Sequence, residues 1–405
     1  MTGFVIIGAS YAGLAAAGAA RDAGYGEPIY LISDEDKLPY QRPPLSKGFV
    51  SGTVTSEDLV LRDQQFFNAN AIEFIPSKRA QKISAREQRV YFDDGGKLRF
   101  GNILLATGSR PRRLSSVPAE ATNLCYLRSM KDAEAIRDRV SAVSEIVIIG
   151  GGFIGLELAA SLRKLGKSVT VIDAAKRLLE RAVSPVMSRY LLAMHRANGV
   201  NVHLDQVITD FRTAGEMVHS VTLGSGQSIG VDLIIVGIGG AANQELAAEA
   251  GAVCANGIDV DRSARTRLPN ILAAGDCATY TNGQTGVKLR LESVQHAQDQ
   301  GRVAGLTVAG HDATYESVPR FWSDQYDAKL QMCGLNAGAD EAVVRGNPED
   351  GRFTSFFFQK GRFIGAESVN RGAEQLTCRK LLSQSVSLSR DQARDSSFNL
   401  NSLCT

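Results

Sequence analysis

Two stretches of the chain share one pattern of apolar and small residues. The apolar run Phe4-Val5-Ile6-Ile7 leads into Gly8-Ala9-Ser10-Tyr11-Ala12-Gly13 and then an Ala-rich segment. The run Ile146-Val147-Ile148-Ile149 leads into Gly150-Gly151-Gly152-Phe153-Ile154-Gly155 and an Ala/Leu-rich segment. A short unbroken apolar run predicts a strand buried on both faces, and the small apolar segment behind it predicts a packed helix. The pattern predicts strand 4–8, helix 12–23 and strand 29–33 in the first copy. It predicts strand 145–150, helix 153–165 and strand 168–173 in the second. Residues 72–106 read as short antiparallel strands, with a turn at Asp93-Asp94-Gly95-Gly96. They end in Ile103-Leu104-Leu105-Ala106-Thr107-Gly108, as the second copy ends in Leu233-Ile234-Ile235-Val236-Gly237-Ile238-Gly239.

Between these blocks, Leu38-Pro39-Tyr40-Gln41-Arg42-Pro43-Pro44-Leu45-Ser46-Lys47 is proline-rich and predicts mostly loop. Asn270-Ile271-Leu272-Ala273-Ala274-Gly275-Asp276 reads as a return of the chain to the first domain, with a helix over 293–308. From about 320 aromatic residues gather: Phe321, Trp322, Tyr326, Phe353, Phe356, Phe357, Phe358 and Phe363, with a hairpin turn at Gly361. The polar tail after about 383 is expected to be loosely held. The fold class is therefore α/β, with two Rossmann-like dinucleotide-binding domains followed by a C-terminal α+β domain. The expected boundaries are 1–108 with 233–319, then 109–232, then 320–405.

The glycine spacing carries the chemistry. A strand that ends in a glycine turn and opens a helix presents backbone N–H groups and a helix N-terminus to a pyrophosphate. The second loop keeps all three glycines of G-x-G-x-x-G, and Asp173 ends the next strand, where a carboxylate binds a ribose 2′-OH and repels a 2′-phosphate. Asp173 thus favours NADH, while Lys176 and Arg177 nearby are either solvated charges or attractors of a phosphate. The first loop has Ser10 in place of the middle glycine, and Asp34 and Glu35 supply its ribose acid. Asp276, after an apolar strand and Gly275, suits either a ribitol hydroxyl or a helix N-cap. Two loops in one chain imply two dinucleotides, one tightly held and one exchanging, as in a flavoenzyme reduced by a nicotinamide cofactor.

Composition narrows this picture. The 405 residues carry 45 Lys+Arg against 43 Asp+Glu, a formal net charge of +2, which argues against a nucleic-acid binder. Residues 3–20 lack charge and are long enough to span a bilayer, but they are Gly/Ala-rich and fit the dinucleotide loop. No Lys or Arg precedes the run, as a signal peptide would require. A soluble, cytoplasmic protein without membrane contact is expected. The six cysteines, Cys125, Cys254, Cys277, Cys333, Cys378 and Cys404, have no metal-knuckle or redox-pair spacing, so no metal is expected.

With these residues in hand, the chain resembles the FAD-dependent NADH:ferredoxin reductases of the putidaredoxin reductase and palustrisredoxin reductase type, whose larger fold is glutathione-reductase-like. The resemblance runs from residue 4 to about 380. It is carried by residues 39–47, the Gly150 loop through Glu157, Ala106-Thr107-Gly108-Ser109-Arg110-Pro111, Gly275-Asp276, and Phe321-Trp322-Ser323-Asp324-Gln325-Tyr326. It implies FAD contacts at Gly8, Ser10, Ala12, Gly13, Asp34, Arg42, Lys47, Ala106, Thr107, Gly108, Arg128, Asp276 and Val294. It implies NADH contacts at Gly152, Phe153, Ile154, Glu157, Asp173, Arg181 and Gly239. Lys47 and Glu157 are expected to pair beside the flavin, and Trp322 to lie near it, facing the electron acceptor.

One departure from the wider fold is informative. Disulfide reductases carry a cysteine pair, and some peroxidases one cysteine, in the segment that here reads 39–49 without any. The flavin itself is then expected to pass electrons on, singly, to a [2Fe–2S] ferredoxin serving a cytochrome P-450 or Rieske-type oxygenase. Such ferredoxins are usually acidic, so Arg290, Arg302 and Lys329 are candidate docking residues. The chain is expected to be a monomer or weak homodimer. Alternative readings are a rubredoxin or quinone-type reductase, or an apoptosis-inducing-factor-like flavoprotein that acts mainly by binding partners.

Overall fold

The computed structural model describes residues 2–118, 120–283 and 285–404. The chain divides into two compact units. One comprises Met1–Gln41, Ser56–Arg110 and Gly240–Ser317; the other comprises Arg42–Thr55, Pro111–Gly239 and Val318–Thr405.

The first unit is built on a parallel sheet. Its strands run in the order Ile72–Ile75, Ile29–Ile32, Gly3–Ile7, Lys97–Leu105, and Ile271–Ala273 also pairs with Lys97–Leu105. Both faces are covered, which is why the strands read as unbroken apolar runs. Phe4, Ile6, Leu31 and Leu104 pack with Ala16 and Ala20 in one core cluster, while Val5, Ile7, Ile32 and Leu105 join a second. The predicted helices form as Tyr11–Asp22 and Val294–Val308. Small residues bring their backbones together: a Cβ on Gly301 would lie 2.2 Å from Ala12 O.

The expectation of antiparallel strands throughout 72–106 needs correction. Ile72–Ile75 pairs parallel with Ile29–Ile32, after the short helix Gln64–Ala69 that Asp63 caps. Lys97–Leu105 serves two neighbours: Lys97, Leu98 and Arg99 pair antiparallel with Tyr91, Val90 and Arg89, while residues 102–105 pair parallel with Phe4–Ile7. A crossover helix this short leaves almost no periodic signal, so the pattern alone reads as a meander.

The second unit repeats the parallel design. Its strands run Asn201–His203, Ser168–Ile172, Glu145–Ile149, Leu233–Val236, Leu124–Tyr126, and the predicted helix forms as Phe153–Lys164. A three-stranded antiparallel sheet, Ile208–Ala214, Met217–Leu223 and Ser228–Gly230, accompanies it. The aromatic C-terminal residues form a five-stranded antiparallel sheet. Its order is Arg320–Gln325, Ala328–Gly334, Arg362–Val369, Arg352–Gln359, Glu341–Asn347. Helix Gly372–Ser383 packs Cys378, Leu381 and Leu382 against Phe356, Phe358 and Phe363.

The tail is not loosely held. Leu388, Ala393 and Leu400 are buried in the same core. Buried Arg345 donates to the backbone oxygens of Gln392, Ser396 and Phe398 and pairs with Glu374 at 2.7 Å. One cation thus satisfies three backbone carbonyls of the tail that polar composition alone would assign to water. Among the described residues, no helix is long and apolar enough to cross a membrane.

Candidate active site

The two glycine loops have nearly the same backbone. Gly8 and Gly150 both have φ +112°, in the region that side chains avoid. A Cβ on Gly8 would lie 2.1 Å from Ala106 O, and one on Gly150 would lie 2.3 Å from Gly237 O. Each loop is therefore pressed against the end of the neighbouring parallel strand. The middle position differs in kind. Gly152 has φ −81°, and a Cβ there would find only Gly237 O, at 3.8 Å. Ser10, at the equivalent place, has φ −121°. Neither the backbone conformation nor the protein neighbours at this position require glycine, as they do at Gly8 and Gly150.

Neither loop helix has a side-chain cap. Ser10 and Gly152 occupy the N-cap positions, and neither forms a side-chain cap hydrogen bond to its helix. Ser129, Ser184 and Ser293, by contrast, cap their helices with side-chain oxygens. An uncapped N-terminus at a strand's carboxyl end keeps its N–H groups for an anion. These features fit a dinucleotide pyrophosphate at each loop.

In the first unit the expected FAD residues gather at the carboxyl ends of the parallel strands, where open α/β sheets bind ligands. Gly8 to Gly13 follow Gly3–Ile7, Asp34 follows Ile29–Ile32, Ala106 to Gly108 follow Lys97–Leu105, and Asp276 follows Ile271–Ala273. Thr107 is held by Asn243: its Oγ1 donates to Asn243 O (2.6 Å), and Asn243 Nδ2 donates to Thr107 O (2.8 Å). Ser109 Oγ donates to Asp276 Oδ2 at 3.2 Å. Asp34 is exposed, whereas its neighbour Glu35 accepts from Tyr40 Oη at 2.6 Å. Val294 opens the helix that follows Asp276. Two residues on, His296 is fully buried and pushed down to about 4 by burial, so it is neutral at working pH.

In the second unit Gly152, Asp173 and Gly239 likewise follow parallel strands. Asp173 Oδ2 accepts from Gly151 N (2.7 Å) and Oδ1 from Ala175 N (2.9 Å), so the acid expected at the ribose braces the glycine loop. Arg177 is not free to capture a phosphate. It donates to Val183 O, Ser188 Oγ and Glu180 O, stitching the loop before helix Pro185–Ala197. Lys176 is exposed, as is Arg181, and Ile154 is 43 % exposed beside the loop. Phe153 packs on Phe321, with ring centroids 4.4 Å apart. Arg42 Nη1 donates to Arg128 O at 2.8 Å, which brings two of the expected FAD residues together.

The expected pair of Lys47 and Glu157 is formed. Lys47 Nζ lies 2.7 Å from Glu157 Oε2, with side chains 22 % and 7 % exposed. Lys47 also donates to Pro43 O at 3.0 Å. The proline-rich segment makes a short 3-10 turn, Pro43–Ser46, which folds the lysine back toward the helix bearing Glu157. Ser46 Oγ donates to the same carboxylate oxygen at 2.5 Å, and Ser323 Oγ donates to Oε1 at 2.6 Å. Three donors thus converge on one buried carboxylate, which offsets the cost of taking it out of water.

Residues 2–301 match the family described as "Pyridine nucleotide-disulphide oxidoreductase", and residues 320–404 match "Reductase C-terminal". Rhodocoxin reductase of Rhodococcus erythropolis is 42% identical over 397 residues, covering 98% of this chain and 93% of that one. Two solved structures have a TM-score of 0.96. One is the ferredoxin reductase for the CYP199A2 system of Rhodopseudomonas palustris, 39% identical, covering 99% of this chain and 100% of that one. The other is the reductase in a covalent putidaredoxin reductase–putidaredoxin complex, 34% identical, covering 99% and 98%. This chain belongs to that family of reductases. As a ferredoxin reductase it is an FAD-dependent oxidoreductase that draws on NAD(P)H.

Trp322, expected near the flavin and facing the electron acceptor, lies on the opposite side of its strand from the residues that meet the ion pair. Alternate residues of Arg320–Gln325 face opposite sides of the sheet. Phe321, Ser323 and Gln325 share the side that meets Phe153 and Glu157, and Trp322 takes the other, with Arg320 6.0 Å over its ring. Arg290 is not a free surface cation. Its side chain is 10 % exposed, and it is held by Glu292 (2.5 Å) and Asp276 O (3.0 Å). Arg302 and Lys329 are exposed. Ser46 and Ser323 lay inside quoted motifs but carried no signal of their own. Only folding shows that both hydroxyls point at one carboxylate.

Proposed function

We propose that this reductase takes a hydride from NADH onto FAD and passes the electrons singly to a [2Fe–2S] ferredoxin serving a cytochrome P-450 or Rieske-type oxygenase. The reading is carried by the paired, uncapped glycine loops in a chain with no cysteine between residues 39 and 49. FAD, when bound, supplies the conversion between a two-electron donor and a one-electron acceptor. The protein's part is binding, orientation and electrostatics. The Gly8 loop, with Ala106, Thr107, Gly108 and Asp276, holds FAD; the Gly150 loop, with Asp173, holds NADH and disfavours a 2′-phosphate. Lys47 provides a fixed cation for charge that develops on the reduced ring, and Glu157 holds that cation in place. The proposed domain limits are residues 1–108 with 233–319 for FAD, 109–232 for NADH and 320–405 for the C-terminal domain.

Six free cysteines, four of them buried, support a reducing compartment such as the cytoplasm. The relative solved with putidaredoxin supports a small iron–sulfur protein as acceptor. The protein is proposed to act as a monomer or weak homodimer. The test is anaerobic stopped-flow absorbance: NADH first, then a [2Fe–2S] ferredoxin, a rubredoxin and a small quinone in separate syringes. Fast flavin bleaching followed by preferential ferredoxin reduction is expected. Preferential reduction of rubredoxin or quinone overturns the acceptor assignment. Failure to bleach with NADH overturns the nicotinamide half.

A further inference from the structure

The Lys47–Glu157 pair is one end of a longer buried chain. Ser323 Oγ donates to Glu157 Oε1 (2.6 Å), Gln325 Nε2 donates to Ser323 Oγ (3.1 Å), and His195 Nε2 lies 2.8 Å from Gln325 Oε1. Glu157 sits on helix Phe153–Lys164, Ser323 and Gln325 on one face of strand Arg320–Gln325, and His195 in the last turn of helix Pro185–Ala197. Ser323, Gln325 and His195 are all buried.

The direction of this chain follows from its carboxylate end. Ser323 has one proton and gives it to Glu157, so its oxygen accepts from Gln325. The Gln325 amide nitrogen therefore faces Ser323, and its carbonyl faces His195. His195 must donate from Nε2. Its Nδ1 is buried without a partner. A bare lone pair there costs far less than an orphaned N–H, and burial also disfavours the imidazolium. All three hydrogen bonds thus point toward the carboxylate, and each polarises the next. A flipped Gln325 would present its oxygen to Ser323 and draw the serine proton away from Glu157.

We propose that His195 and Gln325 are positioning residues for the Lys47–Glu157 pair, acting through Ser323 to hold Oε1 so that Oε2 is left to Lys47 and Ser46. The inference rests on the flavin reading of that pair. His195 is remote from the pair along the chain of contacts, and its role is to fix one orientation of one amide.

Two measurements test this. The first is NMR of the holoprotein with 15N-labelled histidine, tractable because the chain has five histidines, with His195→Gln assigning the signal. A neutral ring protonated at Nε2 is expected; an Nδ1–H ring overturns the direction of the chain. The second is the flavin midpoint potential and the limiting rate of reduction by NADH in Ser323→Ala, Gln325→Leu, His195→Phe and His195→Gln. Loss of a donor is expected to lower the limiting rate about fivefold and shift the potential, with the NADH dissociation constant within about twofold. His195→Gln, which restores a donor, is expected to recover most of the rate. Folded His195→Phe and Gln325→Leu proteins with wild-type rate and potential overturn the inference. Lys47→Met separates the two readings: if it slows reduction while His195→Phe does not, only the positioning role fails. A wild-type flavin that NADH does not reduce sinks the underlying reading instead.

Discussion

Replacing Glu367 with glutamine should make the protein more stable at pH 8 and flatten its stability between pH 5 and 8. Glu367 is fully buried on strand Arg362–Val369. It accepts from Ser184 Oγ and, at 3.2 Å and 3.1 Å, from Ser184 N, at the start of helix Pro185–Ala197. Burial raises its carboxyl from 4.5 to about 7, against the opposing pull of these hydrogen bonds and of Arg177. The folded state therefore binds a proton that the unfolded state has already released. Stability from this group is fully present below pH 4.5 and is lost as pH rises to about 7. At about 1.36 kcal/mol per pH unit, the span corresponds to roughly 3 kcal/mol. Because unfolding entropy scales with chain length, that translates to a melting-temperature change on the order of 3–4 °C here. Thermal melts of wild type and Glu367→Gln at pH 5, 6, 7 and 8 measure it. The difference between the two should grow across that range in favour of the glutamine variant. A difference that stays constant, or that grows in favour of wild type, refutes a protonated Glu367 in the folded protein.

Other substitutions test other contacts. Asp173→Ala should raise kcat/KM for NADPH relative to NADH by about tenfold, and should raise KM for both because Gly151 N loses its acceptor; steady-state kinetics with each cofactor decide it. Glu157→Gln keeps the shape but removes the charge facing Lys47, and should slow flavin reduction in stopped flow by roughly tenfold. Arg345→Ala deletes the Glu374 pair and three carbonyl contacts; a loss of about 3–5 kcal/mol is expected, with protease cleavage appearing after residue 383.

Much of the dinucleotide scaffold was legible because it is local. A strand, its glycine turn and the following helix lie within about twenty residues, so Gly8, Gly150 and Asp173 declare themselves. Resemblance also located Lys47 and Glu157, though nothing near Lys47 says which acid it meets. Contacts distant in sequence were not legible. Ser323 reaches Glu157 across 166 positions, and an ordinary serine in a strand has no pattern that announces such a partner. Arg290 is a docking candidate in the sequence because its charge is visible there and the Glu292 carboxylate that takes it up is not. Strand Ile72–Ile75 has the apolar content of any edge strand, and only its partner Ile29–Ile32 makes it parallel. The tail misled for a related reason. Its buried anchors, Leu388, Ala393 and Leu400, are widely spaced among polar residues, and the cation that fixes them sits on another strand.

The two family matches part the chain near residue 310, yet Val318–Thr405 shares a compact unit with Pro111–Gly239. Among the contacts that cross that line are two carboxylate joints: Ser323 on Glu157, and Glu367 under Ser184. Recombination at the boundary therefore cannot treat the C-terminal piece as an exchangeable accessory. A foreign piece that lacks a hydroxyl at 323 or an acceptor at 367 would leave a buried carboxylate short of a donor and a helix start short of an anchor. In this chain an exchange of that piece, whose strand also displays Trp322, has to carry both joints along.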